Sequence, residues 1–125
     1  MPLTVTSKEK QVGVFTVCPA GSLDSNTYPV LEAKLQVLNE SLPKAVILDL
    51  SELTYISSAG VRVIFATKKV LKKSGADLFI SNPQPPVQKV FDIIKAAPTL
   101  SIFASIEELD QYLDQMQRKA TGESE

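Results

Sequence analysis

Apolar and polar positions alternate with two different periods along the chain. Leu3-Thr4-Val5-Thr6-Ser7 alternates at every second residue, and Val12-Gly13-Val14-Phe15-Thr16-Val17 is rich in branched side chains, so both read as strands. The polar join Lys8-Glu9-Lys10-Gln11 makes them a hairpin. Pro19 to Asn26 is a turn-rich loop ending in residues suited to cap a helix, where Leu31, Leu35, Leu38 and Leu42 recur at three- and four-residue spacing. After the Pro43-Lys44 break, Ala45-Val46-Ile47-Leu48 reads as a buried strand. Val61, Ile64, Phe65 and Lys68 then share a face of a second helix, which Ser74-Gly75 stops.

Ala76 to Ile80 predicts another strand, closed by Ser81-Asn82-Pro83. Pro85-Pro86 suits the first turn of a third helix, where a missing N–H does no harm, and Val87, Val90, Phe91 and Ile94 form its apolar stripe. Ala97-Pro98 ends it, and Leu100-Ser101-Ile102-Phe103 predicts a short last strand. Ser105 and Glu108 are spaced as a capping box for a final helix with Ile106, Leu109, Tyr112, Leu113 and Met116 on its inner face. The order β-β-α-β-α-β-α-β-α implies an α/β fold with a largely parallel sheet and the first strand antiparallel at an edge. Residues 1–116 form one domain in this reading, and 117–125 a polar, disordered tail.

Composition narrows the function. A chain of 125 residues fits one domain, and 13 basic against 14 acidic residues remove a general electrostatic case for nucleic acid. Nothing approaches the ~18 consecutive apolar residues of a membrane span, and Met1 to Thr6 lacks the features of a signal peptide. The expected location is the cytoplasm. Histidine is absent and Cys18 is the one cysteine, which excludes Ser-His-Asp and Cys-His catalysis in the usual form and leaves a structural zinc site without ligands. Cys18 reads as a small buried apolar residue.

Candidate chemistry gathers where strand ends meet helix starts, the usual functional edge of such folds. Ser57-Ser58-Ala59-Gly60 lies where the second helix must begin. One serine there is accounted for as a cap accepting a bond from a first-turn N–H, which leaves the second available. Asp24, in the loop before the first helix, reads first as a structural carboxylate. Lys68, Lys69, Lys72 and Lys73 complement the helix dipole at a C-terminus more simply than they bind nucleic acid.

These segments carry a resemblance. Gly21-Ser22-Leu23-Asp24, the run from Asp49 to Ile64, Pro86-Val87-Gln88-Lys89-Val90-Phe91 and Ser105-Ile106-Glu107-Glu108-Leu109 together resemble the STAS domain family, more narrowly the bacterial anti-sigma factor antagonists, or anti-anti-sigma factors. The likeness spans roughly residues 3 to 116 and rests on the order and spacing of the segments. In the family the central turn commonly reads Asp-Ser-Ser/Thr-Gly, its first serine being phosphorylated by a partner kinase. Ser57 stands at the usual aspartate, Ser58 aligns with the phospho-acceptor, Ala59 replaces the second hydroxyl residue and Gly60 matches. Ser57 is therefore a second candidate acceptor. Ala96-Ala97-Pro98-Thr99-Leu100 also departs from a Thr-Gly-Leu sequence often found there.

The resemblance implies a single STAS-like domain, with a mixed, mostly parallel sheet of four to five strands and about four helices. It implies a binding module rather than an enzyme, with no cofactor or metal. The unmodified protein would bind an anti-sigma factor serine kinase and free a sigma factor. Phosphorylation of Ser58 from ATP would break that complex, and a serine phosphatase would reset it. Asp24, Ser57, Ser58, Gly60 and Arg62 would form the contact surface. A phosphoserine carries about -1.5 to -2 charges, which a helix N-terminus tolerates and a docked partner would feel. Two rivals share the same residues: a STAS scaffold subunit of a signalling assembly or lipid transporter without the switch, and a nucleotide- or phosphate-binding module. The second lacks a glycine-rich phosphate loop with its lysine.

Overall fold

The computed structural model describes residues 3–96 and 106–120. Its elements are β1 (Leu3–Gln11), β2 (Val14–Leu23), α1 (Tyr28–Glu40), β3 (Ala45–Asp49), β4 (Leu53–Ile56), α2 (Ser58–Lys73), β5 (Asp77–Ser81), α3 (Pro85–Ala96) and α4 (Ile106–Ala120). The five strands form one sheet in the order β1-β2-β3-β5, with β4 also paired to β2. Only β1 and β2 run antiparallel; the other pairs are parallel. The mixed, mostly parallel α/β sheet with an antiparallel edge strand is the expected one. The expected strand Leu100–Phe103 and the capping box at Ser105 lie outside the described residues and side chains.

Several boundaries moved, each for a local reason. The hairpin turn is Val12-Gly13 rather than Lys8–Gln11, because Gly13 supplies the positive φ of 82° that a tight turn needs. Pro19 to Leu23, expected as loop, continues β2, since Pro19 faces Val5 across the hairpin and Leu23 pairs with Ile56. Leu42, expected on the inner face of the first helix, is 76% exposed with φ 54°. The helix has ended at Glu40 and Ser41, and Pro43 cannot continue it.

β4 was not foreseen. β2 bonds β3 from Val14↔Ala45 to Val17↔Leu48, then bonds β4 from Gly21↔Leu53 to Leu23↔Ile56, so two strands follow each other along one edge. Between them the chain steps out through Leu50-Ser51-Glu52. The Ser51 amide donates to Asp49 Oδ1 at 3.1 Å and holds that carboxyl below its ordinary range. Gln84 Nε2 donates to the Ser51 carbonyl at 2.7 Å, and the Gly21 amide to the Glu52 carbonyl at 3.0 Å.

The core follows the period of the sheet. Val17, Val46, Leu48 and Leu78 are buried, whereas their neighbours Thr16, Ile47 and Phe79 are half-buried or exposed. Against the buried face lie Leu31, Leu35 and Leu38 of α1, Ile64 and Leu71 of α2, Val87 and Val90 of α3, and Leu113 of α4. Leu50, at the step between β3 and β4, is fully buried. Truncating it to alanine removes a core side chain at the hinge of the ladder. Leu50→Ala is expected to cost about 2–5 kcal/mol in urea or thermal unfolding.

Candidate functional site

Main-chain bonds bring the two sequence segments together. The Ser57 amide donates to the Leu23 carbonyl at 2.9 Å, which places the start of α2 beside the loop containing Asp24. Gly60 makes that approach possible. A Cβ there would lie 2.7 Å from Leu23 Cγ and 2.9 Å from Ile56 Cγ1. Gly60 is buried and its place is in the packing of α2 on β2 and β4, not on an outer contact surface.

Asp24 organises its own loop. Its Oδ1 accepts the amides of Asn26 and Thr27 at 2.9 and 3.1 Å, and its carbonyl accepts the Tyr28 amide at 2.9 Å. Thr27, the residue before α1, gives no side-chain cap; its hydroxyl donates to the Ser22 carbonyl at 2.7 Å. Arg62 is exposed one turn beyond Ser58. Phe65, expected on the inner face of α2, is 42% exposed, because the buried stripe runs through Val61, Ile64, Thr67 and Leu71.

The two serines depart from the simplest expectation. Ser57 is the N-cap residue of α2, with φ -102° and ψ 177°, yet its side chain makes no capping bond. Its hydroxyl and that of Ser58 are both buried and, among the described residues, without a hydrogen-bond partner. A buried polar atom left unpaired costs on the order of 1–3 kcal/mol, so two adjacent ones mark a place not optimised for stability. The capping role has passed to α4: the Ser58 amide donates to Asp110 Oδ1 at 2.9 Å. The anion-binding position at the head of α2 is thus already held by a carboxylate.

α4 makes a second attachment seven residues on. Among the described residues the strand that pairs with β4 is β2, so the N–H and C=O of Ile56 on the side away from β2 need partners. Gln117 supplies both. Its Oε1 accepts the Ile56 amide at 2.9 Å, and its Nε2 donates to the Ile56 carbonyl at 2.9 Å and to the Leu113 carbonyl at 3.1 Å. One carboxamide stands in for a residue of an adjoining strand. Gln117 is 3% exposed and α4 continues to Ala120, so residue 117 does not begin a polar tail; its side chain has a buried bond to make. Sequence reasoning missed Gln117 and Asp110, although Asp110, Leu113 and Gln117 recur at three- and four-residue spacing.

The surroundings are acidic. Tyr55, in β4, has its phenol pushed up to about 12, first by burial and then by Asp114, Asp110 and Asp24, with Arg118 opposing. Among the described residues no group of His, Cys, Asp or Glu could hold a metal ion, and no helix is long and apolar enough to cross a membrane.

Comparison with known proteins places this geometry. A family model described as STAS domain matches residues 6–109. A Bordetella bronchiseptica protein carrying the name anti-sigma factor antagonist BtrV is 36% identical over 95 residues, 76% of this chain and 79% of the relative. Among solved structures, an anti-sigma factor antagonist from Mycobacterium paratuberculosis superposes with a TM-score of 0.68 at 20% identity, covering 90% of this chain and 94% of its own. The Bacillus cell fate determinant SpoIIAA in its phosphorylated form superposes with a TM-score of 0.62 at 19% identity, over 76% and 86% of the two chains.

Two outcomes follow from the packing and the charges. Gly60→Ala gains helix propensity but forces its methyl into Leu23 and Ile56, and is expected to lose about 1–3 kcal/mol net in chemical unfolding. For Tyr55, the raised value means that stability from the neutral phenol is full below the unfolded value of roughly 10 and lost as pH climbs toward 12. The alkaline fall in melting temperature should therefore be shallower in Tyr55→Phe than in the unaltered protein across that interval.

Proposed function

The chain belongs to the STAS domain family, among the anti-sigma factor antagonists, and from that membership we propose that it works as a phosphorylation-controlled partner switch. Unmodified, it binds an anti-sigma factor that is also a serine kinase and so frees a sigma factor. The kinase transfers phosphate from ATP to Ser58, the complex breaks, and a serine phosphatase restores the acceptor. The protein is a substrate and binding module of the cytoplasm and not itself an enzyme.

The observation that carries this reading is the Ser58 hydroxyl, an oxygen that has no bond partner among the described residues and sits at the first residue of a 16-residue helix. Structural duty does not occupy it. Asp24, Ser58 and the exposed Arg62 form the contact surface at the head of α2, while Ser57, 4% exposed, and the buried Gly60 contribute through packing. A phosphate added there would be desolvated and repelled by an acidic partner surface, and a tenfold loss of affinity requires only about 1.4 kcal/mol.

A second reading has one observation of its own. The same hydroxyl is covered in the described structure, as it would be in a STAS scaffold subunit that binds constitutively. Incubation with ATP and an anti-sigma serine kinase, followed by peptide mass spectrometry, separates the two. Phosphate on Ser58, lost in Ser58→Ala, with binding at least tenfold weaker in Ser58→Asp than in Ser58→Ala, is the expected result. Phosphate on Ser57 would move the acceptor by one residue. Binding indifferent to both substitutions, with no phosphate on either serine, would leave the scaffold.

A further inference from the structure

We propose that Asp110, on α4, sets the electrical size of the switch. Its carboxylate takes the leading amide of α2 and stands as a negative charge beside Ser58, so that a phosphate there is not neutralised by the helix it sits on. This rests on Ser58 being the acceptor, and adds the residue that decides how much charge the modification delivers to a partner.

The head of a helix ordinarily absorbs a phosphate, because unpaired N–H groups and the positive end of the dipole face it. In α2 that capacity is reduced before any phosphate arrives. Its first turn has no acidic residue of its own, and Ser57 makes no capping bond. The amide on the acceptor's own residue, Ser58, donates to Asp110 Oδ1 at 2.9 Å. Bond lengths keep the amide nitrogen and hydroxyl oxygen of one serine within about 4 Å of each other. The Asp110 oxygen therefore lies no more than about 7 Å from the acceptor oxygen.

Tyr55 registers the same charge from β4: its phenol is pushed up first by burial, then by Asp114, Asp110 and Asp24, with Arg118 opposing. Arg118 bonds Asp114 at 2.8 Å, and the exposed Arg62 is the cation of α2 one turn beyond Ser58. Like charges disfavour each other's ionised form, and a separation of ~7 Å lies inside the ~8 Å Debye length at physiological salt. Asp110 thus acts on a phosphate in two ways with the main chain left in place. It withholds one N–H donor, and it repels. The second ionisation of the phosphate is displaced above its ordinary value of about 6, and the new charge adds to that of Asp110 at the surface a partner must meet.

The first test needs no partner. Phosphoserine placed at position 58 during translation is titrated by 31P NMR in the full chain. Asp110→Asn keeps an oxygen to accept the Ser58 amide but removes the charge, so the second pKa of the phosphate should fall by at least about half a pH unit. Equal values in the two proteins would overturn the proposal. Exchange protection of the Val46 amide, in the middle of the sheet, verifies the fold; if Asp110→Asn loses it, Asp110→Ser takes its place. The second test uses an anti-sigma serine kinase as the partner. Where phosphate on Ser58 weakens its binding, the ratio of affinities for the unmodified and phosphorylated forms should shrink at least about threefold in Asp110→Asn, and an unchanged ratio would overturn the proposal. Failure of the partner switch itself looks different: binding is then indifferent to phosphate on Ser58, while the 31P titration still reads the effect of Asp110.

Discussion

The parallel ladder along one edge of β2 changes partner partway: Val14 to Val17 bond β3, Gly21 to Leu23 bond β4, and the chain steps outward between them at Leu50 to Glu52. Much of the site depends on that step. It carries β4 past the end of β5, whose last bonded residue, Ser81, faces Asp49. It also aims the β4–α2 turn at the loop after β2, so that Ser57 bonds Leu23 and Gly60 rests on Leu23 and Ile56. On the side of Ile56 away from β2, Gln117 meets the N–H and C=O from a helix rather than a strand.

The head of α2 is consequently a place where polar groups are enclosed but incompletely paired. Backbone needs are met, by Leu23, Asp110 and Gln117, while the hydroxyls of Ser57 and Ser58 find no partner among the described residues. Folding alone would favour alanine at both positions, since a methyl has nothing to satisfy. The helix terminus, which favours an anion, holds the Asp110 carboxylate.

The other end of α2 is settled differently. Lys68 and Lys72 reach Asp77 at 3.0 and 3.5 Å, and Lys68 also donates to the Leu78 carbonyl at 3.1 Å. The lysine bond holds the Asp77 carboxyl below its ordinary range. A lysine run that invites a nucleic-acid reading thus joins the end of α2 to β5, which the dipole argument anticipated only in part.

By itself the sequence determined the α/β class, the antiparallel first strand, the positions of the helices and the identity of the turn at Ser57 and Ser58. These follow from local periods, from glycine and proline, and from segment order, all of which act over a few residues. Tertiary structure decided which of those residues face what. Phe65 and Leu42 satisfy helical spacing as written, yet lie outside the core because the helix phase and the end of α1 are set by packing. β4 could not be read because four residues after a turn gain strand character only from β2 beside them. Gln117 and Asp110 could not be assigned because their partners, Ile56 and Ser58, lie 61 and 52 residues away. A hydrogen bond across that separation leaves no period in the sequence; it exists only once the fold has brought α4 against the β4–α2 turn.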